Sequence, residues 1–135
     1  MPNPDFSGDW SLNKEASTLS PGAGTVQSAR WTIEHREPAF LQKASFAFES
    51  STRDYEYELR SDAPSLPDGA EGGWLDWDGD ALVVTFRQPV PDGSPGLMNV
   101  SFRYELIDDG RRIRALEQVR GTSWDQDNVW VFERQ

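Results

Sequence analysis

Few side chains in this sequence are of a type and position suited to chemistry. His35 is the sole histidine, and it shares an alternating face with Trp31 and Ile33. An imidazole on an inward face is either satisfied by a neighbouring backbone group or carboxylate, or it is a ligand contact or general base in an enclosed site. Glu117 falls on the face of Ile113, Ala115 and Val119. A lone carboxylate there is costly unless it is paired, protonated or wetted, which makes Glu117 a second acid/base candidate. Gln42, between Phe40 and Phe46, brings an amide that needs partners. Tyr55, Tyr57 and Tyr104 add phenols to apolar faces, as a pocket that orients its ligand requires.

Other chemistries are excluded. The chain has no cysteine, so thiol catalysis, disulfides and thiolate metal sites are absent, and a single histidine removes every site that needs two. Asp76, Asp78 and Asp80 suggest calcium only superficially. Gly79 stands in the fourth place counted from Asp76, whereas an EF-hand loop needs its glycine in the sixth and an acid in the twelfth. These residues read as a hairpin turn. Gly22-Ala23-Gly24 lacks a third glycine and follows no strand, so it is no nucleotide loop. Neither a Gly-x-Ser-x-Gly elbow nor a P-loop occurs. Asn99-Val100-Ser101 matches a glycosylation acceptor but falls in mid-strand. No cofactor and no metal are expected.

The candidates sit in segments that alternate with a period of two, the signature of half-buried strands. Residues 29–36 set Trp31, Ile33 and His35 against charged neighbours. Residues 40–49 align Phe40, Gln42, Ala44, Phe46 and Phe48, and residues 53–60 align Tyr55, Tyr57 and Leu59. Residues 73–78 carry Leu75 and Trp77, 81–88 carry Leu82, Val84 and Phe86, and 97–107 carry Met98, Val100, Phe102, Tyr104 and Leu106. Residues 112–120 and 128–134 continue the pattern, and 6–12 precede it. About nine strands result. Asp78-Gly79-Asp80 and Asp109-Gly110 mark tight hairpins. The only helical candidate, 12–18, is one or two turns long.

With 135 residues the chain makes one domain, spanning 1–135. The fold class expected is all-β, a single antiparallel up-and-down barrel of about eight to ten strands. Thirteen Lys and Arg against 23 Asp and Glu leave a net charge of −10, an acidic balance that repels phosphate backbones and anionic lipid. Nucleic acid is therefore not expected as a partner, nor is membrane insertion, since the longest apolar run, 81–84, is far short of a span. The first twenty residues lack a basic start and an apolar stretch, so the chain as written reads as cytoplasmic, or as exported and periplasmic if a leader has been removed.

Three segments resemble the bacterial lipocalin-like (calycin) barrels. Asp5-Phe6-Ser7-Gly8-Asp9-Trp10-Ser11-Leu12-Asn13 resembles their opening strand with its Gly-x-Trp signature. Trp77-Asp78-Gly79-Asp80-Ala81-Leu82-Val83-Val84 resembles their central hairpin, and Val131-Phe132-Glu133-Arg134 their closing strand. The resemblance implies a meander barrel that often carries an apolar ligand and brings no catalytic residues. It also implies structural closure by Trp10, plugging one end, with Arg134 stacked across it. Nine strictly antiparallel strands would put those two residues at opposite ends, so an extra short strand or crossing segment is expected within 13–28. In a meander, the turn 36–39 and the loops 61–72, 89–96 and 121–127 share one rim, and His35 lies just inside it.

The function expected is binding of a small hydrophobic or aromatic molecule in the barrel, with Trp31, His35, Gln42, Tyr55, Tyr57, Phe86, Phe102 and Tyr104 as its lining. The alternative is a cofactor-free cyclase or isomerase acting on an enclosed polyketide- or terpene-like substrate, with His35 and Glu117 as catalytic candidates and the tyrosines as further groups to test.

Overall fold

The computed structural model describes residues 5–21, 23–63, 71–89, 96–121 and 125–135. Nine strands follow in chain order: β1 (Gly8–Leu12), β2 (Ser28–Arg36), β3 (Ala39–Ala47), β4 (Thr52–Arg60), β5 (Gly72–Asp78), β6 (Ala81–Pro89), β7 (Leu97–Ile107), β8 (Arg112–Arg120) and β9 (Asp125–Arg134). Burial reproduces the alternation that forms them. Along β2, Ala29, Trp31, Ile33 and His35 are buried and every intervening residue is exposed. The tight turns use residues that tolerate positive φ: Gly79 at +62°, and Asp108, Asp109 and Gly110 at +52°, +57° and +82°.

The helical candidate at 12–18 forms no helix. Asn13 closes a single turn there by accepting the Ala16 amide on Oδ1 at 3.1 Å. The Asn13 and Thr18 amides then bond to Val131 and Val129 of β9, each at 2.8 Å. An asparagine at the turn and a partner strand alongside outcompete a short helix. Among the described residues the only helix is a 3-10 turn at Ala23–Thr25.

The strands form one sheet in the order β4-β3-β2-β1-β9-β8-β7-β6-β5, with every ladder antiparallel. The sheet curls into a nearly closed barrel whose two edges, β4 and β5, face one another without pairing. Trp10 pairs directly with Arg134, so both belong to one end, as the resemblance implied.

The parity is restored elsewhere than expected. Segment 13–28 starts and finishes at the same end, because β1 and β2 pair antiparallel. The break lies between β4 and β5. Ser61, just past β4, bonds to Pro38 at the Trp10 end. Trp77, at the close of β5, reaches Glu37 at that same end, while Gly72 at its start pairs with Arg87 far away. β4 and β5 thus run the same way, and the single reversal separates the connections expected to share a rim. The turn 36–39 lies at the Trp10 end. Pro89 pairs with Leu97 and Arg120 with Asp125 at the opposite end, which also carries 13–27. Most of the loops 61–72, 89–96 and 121–127 lies outside the described residues.

The core is densest at the Trp10 end, although it continues through Trp31, Tyr104 and Trp130 toward the other. Phe6, Trp10, Ile33, Phe40, Leu75, Leu82, Ile113 and Phe132 are buried there as a solid plug. Trp10 donates its indole N–H to the Phe6 carbonyl at 3.0 Å. The Arg134 guanidinium lies 4.3 Å over the indole and donates to the Ser7 carbonyl at 2.6 Å and the Gly110 carbonyl at 3.0 Å. Gly8 explains the Gly-x-Trp spacing. Its φ is +138°, and a Cβ there would stand 2.7 Å from an Arg134 nitrogen.

Candidate ligand-binding cavity

The other half of the barrel is open. A cavity of about 840 Å³ fills it, reaching from the loop end down to a floor at mid-barrel. Its walls are rings: Trp31 from β2, Phe46 from β3 and Phe48 just past it, Tyr55 and Tyr57 from β4, Phe86 from β6, Phe102 and Tyr104 from β7, and Trp130 from β9. They brace one another. Trp31 is stacked on Phe132 with centroids 3.7 Å apart, Trp130 meets Phe46 edge-on at 5.7 Å, and Tyr57 meets Phe86 edge-on at 4.9 Å. Ala44, between Trp31 and Tyr55 in the register, leaves the room they enclose.

Three polar side chains make the floor. Gln42 is buried, and its Oε1 accepts the Tyr104 hydroxyl at 3.1 Å and the Tyr57 hydroxyl as well. The two phenol oxygens lie 3.2 Å apart. Burial drives both phenols up, Tyr57 well above its usual value with the neighbouring Tyr104 adding to the rise. Both remain neutral donors over the physiological range.

Glu117 stands on the wall, where Phe102 faces it across the β7–β8 ladder. Its Oε1 accepts the Asn128 amide and the Trp130 indole N–H, each at 2.9 Å. Asn128 is itself fixed by accepting the Ser20 amide at 2.6 Å. The second oxygen, Oε2, has no partner among the described residues and is not sealed from the cavity. The mouth carries Arg53, whose guanidinium lies 5.7 Å over Phe48. Beside it Tyr55, 51% exposed, marks the wide side of the opening along the unpaired β4 edge.

Of the expected lining residues, Trp31, Gln42, Tyr55, Tyr57, Phe86, Phe102 and Tyr104 surround this space. His35 does not. The reversal between β4 and β5 puts it in the plug, remote from the mouth it was expected to rim. Its Nδ1 accepts the Phe6 amide at 3.3 Å and its Nε2–H donates to Glu37 Oε1 at 2.6 Å. Both ring nitrogens are thereby used. Of the two acid/base candidates, only Glu117 faces the cavity.

Glu37 binds more than His35. Its carboxylate also accepts the Ser61 hydroxyl at 2.6 Å and the Trp77 indole N–H at 3.1 Å. It joins the β2–β3 turn to both edges of the sheet. Burial pushes this carboxyl up, but the hydrogen bonds from Ser61, His35 and Trp77 outweigh it and hold it below its usual value. Among the described residues, no group of three His, Asp or Glu is placed to hold a metal ion, and no helix is long and apolar enough to cross a membrane.

No protein-family model matches the chain, and no curated protein sequence matches it either. Solved structures do. Secretory abundant heat soluble protein 4 from Ramazzottius varieornatus superposes with a TM-score of 0.60 at 11% identity, over 100% of this chain and 99% of that one. The REP1-NXSQ fatty acid transporter does so at 0.55 and 15%, covering 97% and 96%. The siderocalin Ex-FABP does so at 0.51 and 10%, covering 96% and 74%. The fold is that of the lipocalin and fatty-acid-binding calycins.

Within this barrel, some wall residues carry no signal of their own in the sequence. Phe46, Phe48 and Trp130 look like ordinary core positions. Arg53 looks like an ordinary solvated charge, although it shares the alternating face of Tyr55 and Tyr57. Asn128 could have been found, since it ends an inward-facing series with Trp130 and Phe132 where an amide needs a buried partner.

Proposed function

We propose that this protein binds a small, largely apolar molecule in the open half of its barrel. The observation that carries the reading is the cavity of about 840 Å³, walled by aromatic rings and floored by the Tyr57–Gln42–Tyr104 cluster. Ligand sites combine apolar walls with a few fixed polar groups in this way. The fold neighbours that are a fatty acid transporter and a siderocalin support the same use of the barrel. Of the groups that a cyclase or isomerase would draw on, His35 is enclosed in the plug with both ring nitrogens engaged.

The test is titration with N-phenyl-1-naphthylamine, a neutral apolar fluorophore. Saturable binding near one per chain, with quenching of tryptophan emission that falls in Trp31→Phe, is the expected result. Emission that rises without saturating, or quenching unaffected by Trp31→Phe, overturns the proposal. Native mass spectrometry of protein purified from its own host would then weigh the retained molecule.

A further inference from the structure

We infer that the bound molecule presents a hydrogen-bond donor, best a protonated amine, to Glu117, and that Glu117 excludes ligands with a carboxylate at that position. The inference rests on the binding reading above and names the chemistry of the ligand's polar end.

The charged side chains that line the cavity are Arg53 and Glu56, both exposed, and Glu117 on the inner wall. Arg53 is at the mouth, and Glu56 is on the open edge of β4. Beyond the mouth, therefore, the wall holds one carboxylate and, among its described residues, no cation. Half of that carboxylate is committed: Oε1 takes the Asn128 and Trp130 donors. Those two bonds fix the plane of the group and leave Oε2 free toward the cavity. A fixed acceptor with an uncommitted oxygen is a place for a donor on the ligand.

The surroundings favour positive charge further. Phe102 faces Glu117 across the β7–β8 ladder and the Trp130 indole is hydrogen-bonded to it, and aromatic faces attract ammonium groups. The floor of Gln42, Tyr57 and Tyr104 holds no cation that would repel an ammonium group. A carboxylate ligand turned inward would meet like charge in a partly desolvated space, the arrangement that discriminates by repulsion. Turned outward it would find only Arg53, at the solvent edge.

A matched series tests this: 1-naphthylmethylamine, 1-naphthylmethanol and 1-naphthoic acid, each displacing N-phenyl-1-naphthylamine at 0.15 M salt (an ionic strength that screens surface charge). The expected order is amine, then alcohol, then acid, with the amine about tenfold or more tighter than the acid, as a charge-assisted hydrogen bond provides. Glu117→Gln should bring the amine down to the alcohol and raise the acid. Glu34→Gln, the same charge change on the outer face of β2, should leave the order alone. Should Glu117→Gln fold poorly, Glu117→Asp withdraws the oxygen by one methylene and should weaken the amine preference without abolishing it. An acid that binds as tightly as the amine overturns the inference, as does an amine preference that survives Glu117→Gln. If the fluorophore binds saturably in those cases, the binding reading stands and this one falls. If the fluorophore and all three competitors fail, both fall.

Discussion

His35 and Trp77 lie face to face, their ring centroids 5.7 Å apart and their planes 27° from parallel. Their strands, β2 and β5, are separated in the sheet by β3, β4 and the unpaired seam. The contact therefore crosses the barrel interior. Phe6 touches both rings, at 5.9 Å from His35 and 6.2 Å from Trp77. Glu37 ties the same two residues together from the turn below. Closure at this end is made by side chains, where the backbone ladder is missing, and the opposite end is left free to hold a cavity.

Stability should report the Glu37 clasp through pH. The folded carboxyl titrates below its ordinary value of 4.5, so its contribution is present above that value and is lost as pH falls through the lower, folded one. Urea midpoints of the parent should decline below about pH 4.5. Glu37→Gln should be less stable at pH 7 by about 0.5–1.5 kcal/mol, since the buried His35 and the more exposed Ser61 and Trp77 lose a charged acceptor that is itself partly exposed. Its acid decline should be shallower than the parent's. Two parallel pH curves would mean that the clasp is not formed.

The Trp10 closure makes a separate prediction. Arg134→Ala removes a cation over an indole and two bonds to backbone carbonyls, a loss of about 1–3 kcal/mol in urea. Gly8→Ala puts a methyl group against the guanidinium at a φ of +138°, and should cost about as much. The two are coupled, because the methyl group clashes with the side chain that the first variant removes. In the double variant the losses should sum to less than the singles. Full additivity would show that Gly8 is required by its φ alone.

Most of this architecture is legible in the residues. Period-two alternation marks all nine strands to within a few residues, because each has one face in the interior and one in solvent. Trp10 and Arg134 carry the closure by their types. Strand direction is the part that alternation does not encode. A segment such as 61–71, rich in Pro, Gly, Ser and Asp, reads equally as a turn at one end and as a passage to the other. Placing the reversal within 13–28 instead of between β4 and β5 puts His35 at the mouth and not in the plug. The inward faces of Gln42, Tyr57 and Tyr104 were unaffected, since facing depends on local period and not on direction. Whether those faces meet across a packed core or an open space depends on volumes summed over distant strands, which no local pattern carries.

The floor cluster makes an alkaline prediction. The phenols of Tyr57 and Tyr104 titrate above 10 in the folded protein because burial disfavours the phenolate. A raised folded value means stability that is fully present below the unfolded value, about 10, and lost as pH rises beyond it. The thermal midpoint should therefore fall above about pH 10. Tyr57→Phe should lessen that fall while lowering stability near pH 7, where Gln42 loses a donor. An alkaline slope unchanged in Tyr57→Phe would place the phenol in solvent.

Substitutions in the plug and in the cavity should have opposite signatures. Ala44 faces the open half, so Ala44→Trp inserts an indole where the ligand would lie. In a packed core such a change costs about 1–3 kcal/mol through overpacking. Here it should lower stability by less than about 1 kcal/mol and abolish binding of N-phenyl-1-naphthylamine. His35→Ala removes a buried ring that uses both nitrogens and stacks on Trp77. It should lower stability by about 2–4 kcal/mol, from the cavity left and the Phe6 amide and Glu37 carboxylate deprived of a partner. Affinity for the fluorophore should stay within about twofold at temperatures where the variant is folded, since no cavity wall includes His35. Urea melts and fluorescence titrations on the two variants read both quantities. If His35→Ala weakened binding as Ala44→Trp does, the plug and the cavity would be one site, and the boundary drawn at the Gln42 floor would be wrong.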